Sequence, residues 1–420
     1  MTENRTDSTS PTLVRHGRQP RSSPLLGLLR LLGIAVVVLA VSATSIVGYA
    51  TWSTISNIKP GIHLAHLNTN APIPQIGSIA GAVNVLLTGT DTRTGQGGFE
   101  DLADLRGSSG AGNNDVTMVL HISADHQHAT VVSIPRDLLV SIPACPRANG
   151  GETPPSSLSM FNTTLSRGGL SCTVLATERL TGLTIDYAAE ISFDGVIQMS
   201  DAVGGVPVCV ATPIHDRYVG LNLSAGEHLI SGETALAFLR SRHGVGDGSD
   251  LGRISDQQLF ISSLLRTVTG TGVLDNPFTL YNLANAAIKN MELSDTLTAP
   301  TTLVALGLTL KNISLNNIVF VQWPTKSNPA YPGRVVMEQP EDSILVSALD
   351  NDDPIELAGK LGRATETAPS DLTTPLPTAS GTSTPAPTVT ATPGKHVVAL
   401  PGNVTGQTAA QQTCALGYRP

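Results

Sequence analysis

The chain has 420 residues, 40 % of them hydrophobic but only 4 % aromatic, and a formal net charge of −8 at pH 7. That length exceeds one average domain, and the composition calls for an aliphatic core of Val, Ile, Leu and Ala. The acidic balance argues against nucleic acid as a partner, because a binder needs a basic face to displace counterions.

Residues 1–24 read as a basic, Ser- and Thr-rich cytoplasmic tail carrying Arg15, Arg18 and Arg21. Residues 25–52 read as one transmembrane helix: no charged residue occurs from Leu31 to Ile58, and about 20 apolar residues suffice to span the hydrocarbon core. The arginines flank one side only, which predicts a cytoplasmic N-terminus and an extracytoplasmic remainder on the cell membrane. A cleaved signal peptide is the rival reading, but its apolar region is usually only about 7–15 residues long. Residues 53–80 read as a stalk with scattered Pro and Gly, and 81–358 as a globular domain. Residues 359–395 form a Pro/Thr-rich linker whose composition cannot support a packed core, and 396–420 a short C-terminal segment.

Within the globular part, VNVLLTG, VTMVLHI, ATVVSI and VPVCVAT are β-branched runs that predict strands. SCTVLATERLTG and SFDGVIQMSDAVGG have helical spacing and end in Gly. SGETALAFLRSR predicts a helix with Ser231 as N-cap that ends near Leu239. GRISDQQLFISSLLRTV predicts an amphipathic helix with Ile254, Phe260, Ile261, Leu264 and Leu265 inward. Together these predict an α/β fold, a central mixed β-sheet flanked by helices as a layered sandwich. The four cysteines lack a Cys-x-x-Cys, so they read as disulfides rather than a zinc site, with Cys145–Cys172 the favoured pair. His126 and His128 read as a solvated hairpin turn, and DNDDP at Asp350 as an exposed acidic turn. No P-loop and no G-x-S-x-G occurs.

Charged residues stand at the ends of apolar elements. LLTGTDTR supplies Asp91 and Arg93, GNNDVTM supplies Asp115, and SIPRDL supplies Arg136 and Asp137. FLRSRHGVGDGSDLGRISDQQ supplies Arg240, Arg242, Asp250, Arg253 and Gln257. Residues two apart diverge on a helix but share a side on extended chain, so Arg240 and Arg242 act together only if the helix unwinds between them. Arg253 and Gln257 are four apart and share a helix face. Several guanidiniums aimed at one place suit a phosphate-bearing anion. Paired carboxylates at Asp91 and Asp115 suit Mg²⁺, with Mn²⁺ as the alternative. Arginines with Mg²⁺ are the components of phosphoryl transfer.

NVLLTGTDTR, NNDVTMVLHI, VVSIPRDLLV, FDGVIQMSDAVGGVPV, LSAGEHLISGETALAFLRSR and SDLGRISDQQ follow one another in an order that resembles the LytR–CpsA–Psr family, in its actinobacterial form, over roughly residues 80 to 350. The resemblance implies an extracytoplasmic phosphotransferase that moves a glycopolymer phosphate from a polyprenyl-diphosphate-linked glycan to peptidoglycan, with an apolar cleft for the lipid. It implies that Asp91 and Asp115 hold the metal. Arg93, Arg136, Arg240, Arg242, Arg253 and Gln257 would grip the diphosphate, while Asp137 orients Arg136. Asp250 or Asp91 would accept the proton. Two positions depart from the pattern: Met160 stands near a usual Lys, and Asp256 precedes the paired glutamines. A diphosphatase and a non-catalytic lipid- or wall-binding protein are the alternative readings.

The topology has a direct check. A reporter enzyme that is active only outside the membrane, fused after Leu64, is expected to be active; a silent fusion overturns the extracytoplasmic placement.

Overall fold

The computed structural model describes residues 60–64, 79–99, 110–147, 149–270, 277–369 and 396–419, with scattered helical positions between 28 and 42. The chain divides into two units, Met1–Asn57 and Ile58–Pro420. In the first, the described positions include exposed Leu28, Leu32, Ile34 and Val37. Among the described residues no helix is long and apolar enough to cross a membrane. The span expected at 25–52 lies mostly outside the described residues, as do the whole tail and most of the linker, whose described start, 359–369, instead carries a strand, Thr365–Thr367, within the fold.

In the second unit, β1 (Val83–Thr90), β2 (Asn114–Ile122) and β3 (Ala129–Ser133) form an antiparallel meander. A hairpin of β4 (Leu139–Ile142) and β5 (Ser156–Met160) precedes α1 (Thr163–Thr181). Next come β6 (Tyr187–Ile191), α2 (Phe193–Ala202), β7 (Val206–Val210), β8 (Gly226–Ile230), α3 (Gly232–Arg240) and α4 (Asp250–Gly270). They are followed by α5 (Pro277–Asn290), β9 (Met291–Leu293), α6 (Pro300–Lys311), β10 (Ile318–Gln322) and α7 (Glu341–Asp350). The last strands are β11 (Thr365–Thr367), β12 (Gly406–Thr408) and β13 (Thr413–Ala415).

The central sheet runs β9-β6-β1-β2-β3-β10-β12. It is mixed, because β1 pairs with β6 and β3 with β10 in parallel while its other neighbours are antiparallel. Side chains alternate across it, as strand geometry demands. Leu86, Val132, Ala188 and Val319 face one core with α1 and α7, and Val83, Val131, Ala189 and Phe320 face another with α5 and α6. A second sheet, β8-β7-β13-β11, packs Val206, Val208 and Ala415 against Phe238 of α3 and Phe260 of α4. The α/β layered sandwich is therefore as expected, with a further small sheet of which only β7, in VPVCVAT, was announced by the sequence.

Several local readings change. The described part of the expected stalk lies within the fold: Leu64 is buried, and Ile62 exchanges backbone hydrogen bonds with Leu293 and Asp295. Residues 396–420 are no separate segment, for β12 edges the central sheet and β13 sits inside the second one. Short strands of Thr, Gln and Gly carry little apolar signal, so their tertiary pairing was invisible. His128 is buried, not solvated. Asp352 of DNDDP accepts from the Ala124 backbone N–H and lies 3.1 Å from the buried His121 ring. Ser231 occupies the N-cap of α3, but its side chain makes no capping bond.

Both disulfides are formed. Cys145–Cys172 ties the β4–β5 region to α1, and Cys209–Cys414 ties β7 to β13. The second closes 205 residues, and a cross-link over so long a loop removes much denatured-state entropy. Cys414→Ser is therefore expected to lower unfolding free energy by about 2–5 kcal/mol, measured by urea denaturation. Deleting 406–420 removes an internal strand and is expected to leave a protease-sensitive, unfolded domain.

Candidate active site

The site lies where β1, β2 and β3 deliver their ends beside α2, α3 and α4. Asp91 follows β1 directly. Its Oδ1 accepts from the Asn113 backbone N–H at 2.6 Å and its Oδ2 from the Asn113 amide at 3.3 Å. The turn around it is tight: Gly112 has φ +70°, and a Cβ there would lie 2.5 Å from the Thr92 nitrogen. Only glycine fits that approach. Asp115 opens β2, and Arg136 follows β3 through Ile134 and Pro135.

The Arg136 Nη1 donates to Asp115 Oδ1 at 2.8 Å. Arg253, from the first turn of α4, sends Nη2 to the Asp115 carbonyl at 2.7 Å and Nη1 to within 3.5 Å of its Oδ2. Asp250 sits behind both, with Oδ1 2.7 Å from Arg253 Nη2 and 3.4 Å from Arg136 Nε. Asp137 is 3.7 Å from Arg136 Nε but only 2.7 Å from Arg334 Nη1, so its tighter partner is one that sequence reading did not name.

The helix break between Arg240 and Arg242 is present. α3 ends at Arg240, and Ser241 is extended at φ −61°, ψ 134°. Asp216 holds the break open. Its Oδ2 accepts from Ser241 Oγ at 2.8 Å, Arg242 N at 3.1 Å and Gly244 N at 3.2 Å. A Cβ on Gly244 would fall 2.7 Å from that of Asp216, so glycine is required for the approach. The Arg240 guanidinium lies over the Phe193 ring at 4.1 Å, a cation–π contact that lowers its desolvation cost.

These side chains border one cavity of about 630 Å³. Asp91, Arg93, Asp115, Arg136, Arg240, Arg242, Arg253 and Gln257 line its charged part, while Val116, Met199, Leu236, Ile261, Leu264 and Met291 line its apolar part. Gln257 donates to the Leu239 carbonyl at 3.1 Å, so it also anchors the end of α3. Asp250 is not in the lining and grips the guanidiniums from outside it. Met160 and Asp256 are also outside the lining. Asp256 is wholly buried with neither carboxylate oxygen hydrogen-bonded, and burial pushes its pKa well up. Asp216, Phe193 and Gln258, which donates to Ser133 Oγ at 3.0 Å, were missed. Gln258 stands beside Gln257 in a charged stretch already singled out, Phe193 opens a helix, and Asp216 lies between His215 and Arg217 in PIHDRYV, where no spacing marks it.

Burial pushes the Asp115 carboxyl up, but Arg253 and Arg136 outweigh it and hold the pKa below its ordinary value. Asp91 goes the other way: burial, helped by the charge of Asp115, raises it. Burial and the charges of Arg136 and Arg253 lower the Arg242 pKa. Asp91 and Arg242 are thus each shifted toward the neutral form, despite the Asn113 hydrogen bonds on the first and the charges of Asp250 and Asp115 near the second, and a cation and an anion would each reverse that shift. Among the described residues no cluster of three or more His, Cys, Asp or Glu could hold a metal. Mg²⁺ needs only one or two carboxylates plus water and phosphate oxygens, and Asp91 with Asp115 beside it fits that requirement.

Because the Asp115 pKa is depressed on folding, its contribution to stability is present above the unfolded value near about 3.9 and is lost as pH falls through the folded one. Asp115→Asn is therefore expected to be less stable than the parent at pH 7, with the gap shrinking below about pH 4. Urea denaturation across pH checks it, and a pH-independent gap contradicts it.

The chain matches the LytR_cpsA_psr family over residues 55–348. It is 30 % identical over 314 residues to the cell wall biosynthesis protein LcpA of Corynebacterium glutamicum, covering 70 % of this chain and 59 % of that relative, so it spans under two thirds of its length. It is 25 % identical over 244 residues to the polyisoprenyl-teichoic acid–peptidoglycan teichoic acid transferase TagU of Bacillus cereus, covering 58 % of this chain and 70 % of TagU. Among solved structures, a LytR-Csp2A-Psr enzyme from Actinomyces oris superposes with a TM-score of 0.50 at 25 % identity, over 70 % of this chain and 96 % of that one. A match spanning most of the domain, joined to the same mixed sheet and to motifs that converge on one cavity, places the chain in the LytR–CpsA–Psr family.

Proposed function

We propose that the protein is a Mg²⁺-dependent phosphotransferase that attaches a polyprenyl-diphosphate-linked glycopolymer, of arabinogalactan or teichoic-acid type, to peptidoglycan through a phosphodiester. The observation that carries this reading is the convergence of Arg93, Arg136, Arg240, Arg242 and Arg253 at one part of a cavity whose remainder is apolar. A diphosphate joined to a long hydrocarbon has that same division of charge. Family membership supports a wall-polymer transferase, and the corynebacterial relative favours an actinobacterial polymer.

The chemistry follows from the geometry. The acceptor hydroxyl oxygen attacks the sugar-proximal phosphorus. The bond from that phosphorus to the bridging oxygen breaks, polyprenyl monophosphate leaves, and the hydroxyl proton is lost. Arg136 and Arg253 are already fixed by Asp115 and Asp250, so they need no reorganisation as charge develops on the phosphate oxygens. Arg242 lacks an ion-pair partner among the described residues and gains one from the phosphate. Of the two carboxylates considered for the proton, Asp91 faces the cavity and Asp250 does not. Held by Asp91 and Asp115, Mg²⁺ would supply further neutralisation of the phosphate oxygens.

We place the enzyme on the cell membrane with its catalytic domain outside. Support comes from the uncharged run of residues 31–58, the arginines before it, and the exposed aliphatic side chains between 28 and 42.

The test supplies the full chain with a polyprenyl-diphosphate oligosaccharide, peptidoglycan fragments and Mg²⁺, and follows the glycan by mass spectrometry. A phosphodiester-linked product is expected, abolished by chelator and reduced at least about 100-fold in Arg136→Ala and Asp91→Ala. Release of inorganic or sugar phosphate without ligation would instead make the protein a diphosphatase. Lipid binding without turnover would make it a binding protein.

A further inference from the structure

At the charged part of the cavity two aromatic rings stand exposed to solvent. Tyr218 is 64 % exposed, and its ring centroid lies 4.5 Å from that of His243 with the planes tilted by 45°. Both residues line the cavity, next to Arg242. An exposed Tyr–His pair at a surface is ordinarily left free to move, but this one is held from below. The Asp216 carboxylate that accepts from Arg242 N and Gly244 N through Oδ2 also accepts from Tyr218 N through Oδ1, at 3.0 Å. One side chain therefore sets the position of a phosphate-facing arginine and of the backbone carrying both rings. The Arg217 guanidinium lies over the Tyr218 ring, 5.0 Å from its centroid, and its Nη2 donates to the Tyr218 hydroxyl at 3.1 Å.

A pyranose presents a face of axial C–H groups, weakly positive and apolar, with hydroxyls around its rim. Such a face is complementary to the negative π-face of an aromatic ring, and the adjacent cation and backbone amides suit the rim. We propose that Tyr218 and His243 form the subsite for the sugar ring attached to the transferred phosphate of the donor. This assignment rests on the phosphotransferase reading and names where, within that site, the glycan leaves the diphosphate. The rings lie at the phosphate-binding part of the cavity rather than along its apolar part, so the donor enters with its lipid inward and its first sugar against Tyr218.

The test measures equilibrium binding by the full chain in detergent micelles to two ligands, a polyprenyl diphosphate carrying a disaccharide and the same polyprenyl diphosphate without sugar. Tyr218→Ala and His243→Ala are expected to weaken binding of the sugar-bearing lipid by about tenfold while changing the sugar-free one by less than about twofold. Tyr218→Trp, which keeps a stacking face, is expected to retain the preference. Equal effects of Tyr218→Ala on both lipids, or on neither, overturn the subsite. Loss of peptidoglycan-fragment binding with donor binding intact assigns the rings to the acceptor and overturns it as a donor site. If the parent protein binds neither lipid, the phosphotransferase reading itself fails, an outcome distinct from failure of the subsite alone. Thermal unfolding of each variant verifies that the exposed substitutions leave the fold intact.

Discussion

The structure depends on how it keeps several guanidiniums together. Arg136, Arg242 and Arg253 stand close enough that the charges of the other two depress the pKa of Arg242, and like charges in a partly desolvated cavity repel strongly. Asp115 makes the cluster tolerable by taking Arg136 on one carboxylate oxygen and Arg253 near the other. Asp250 reinforces the same two from the opposite side. Removing one member of such a network leaves the rest uncompensated, so each of these pairs holds the others in place more than it adds net stability. Among the described residues Arg242 is the member of this trio with no ion pair, and Asp250 and Asp115 act on it only at longer range.

The remaining architecture serves that cluster. A meander of three strands brings Asp91, Asp115 and Arg136 to one end of the central sheet, and α4 brings Arg253 alongside. α3 stops where Asp216 captures the backbone that follows it. Asp216 hydrogen-bonds backbone amides and Ser241 Oγ, and so ties the loop bearing Arg242 and His243 to the separate turn bearing Tyr218. Behind the charges the cavity wall is aliphatic, contributed by α2, α3, α4 and the adjacent strands, which matches a composition poor in aromatics.

Much of this was legible because its causes are local. β-branched runs bounded by Gly, Asp or Pro made the strands plain, and the two-residue spacing of Arg240 and Arg242 implied a helix break. That Asp91 and Arg253, far apart in the chain, border one cavity was not local, and only the ordered motifs of a family pointed to it. The illegible parts share a reason. Asp216 acts on backbone amides contributed by residues well downstream, which leaves no pattern around it. Strands such as Gly406–Thr408 are short and polar, and their state is decided by a neighbouring strand rather than by propensity. Asp256 is buried with neither oxygen hydrogen-bonded among the described residues, and burial favours its neutral form.

The late strands have a consequence for how the protein is made. β13 lies between β7 and β11 and is cross-linked to β7, yet it is synthesised after a Pro/Thr-rich tract that follows the rest of the domain. Until those residues emerge, β7 has an open edge beside the loop that carries Arg242, and Cys209 has no partner. The second sheet therefore cannot be completed strand by strand as it is synthesised. Its closure waits for β13 and for an oxidant, and the backbone beyond Arg242 gains its partners only then, Gly246 at Leu416 and Gly244 at Tyr418.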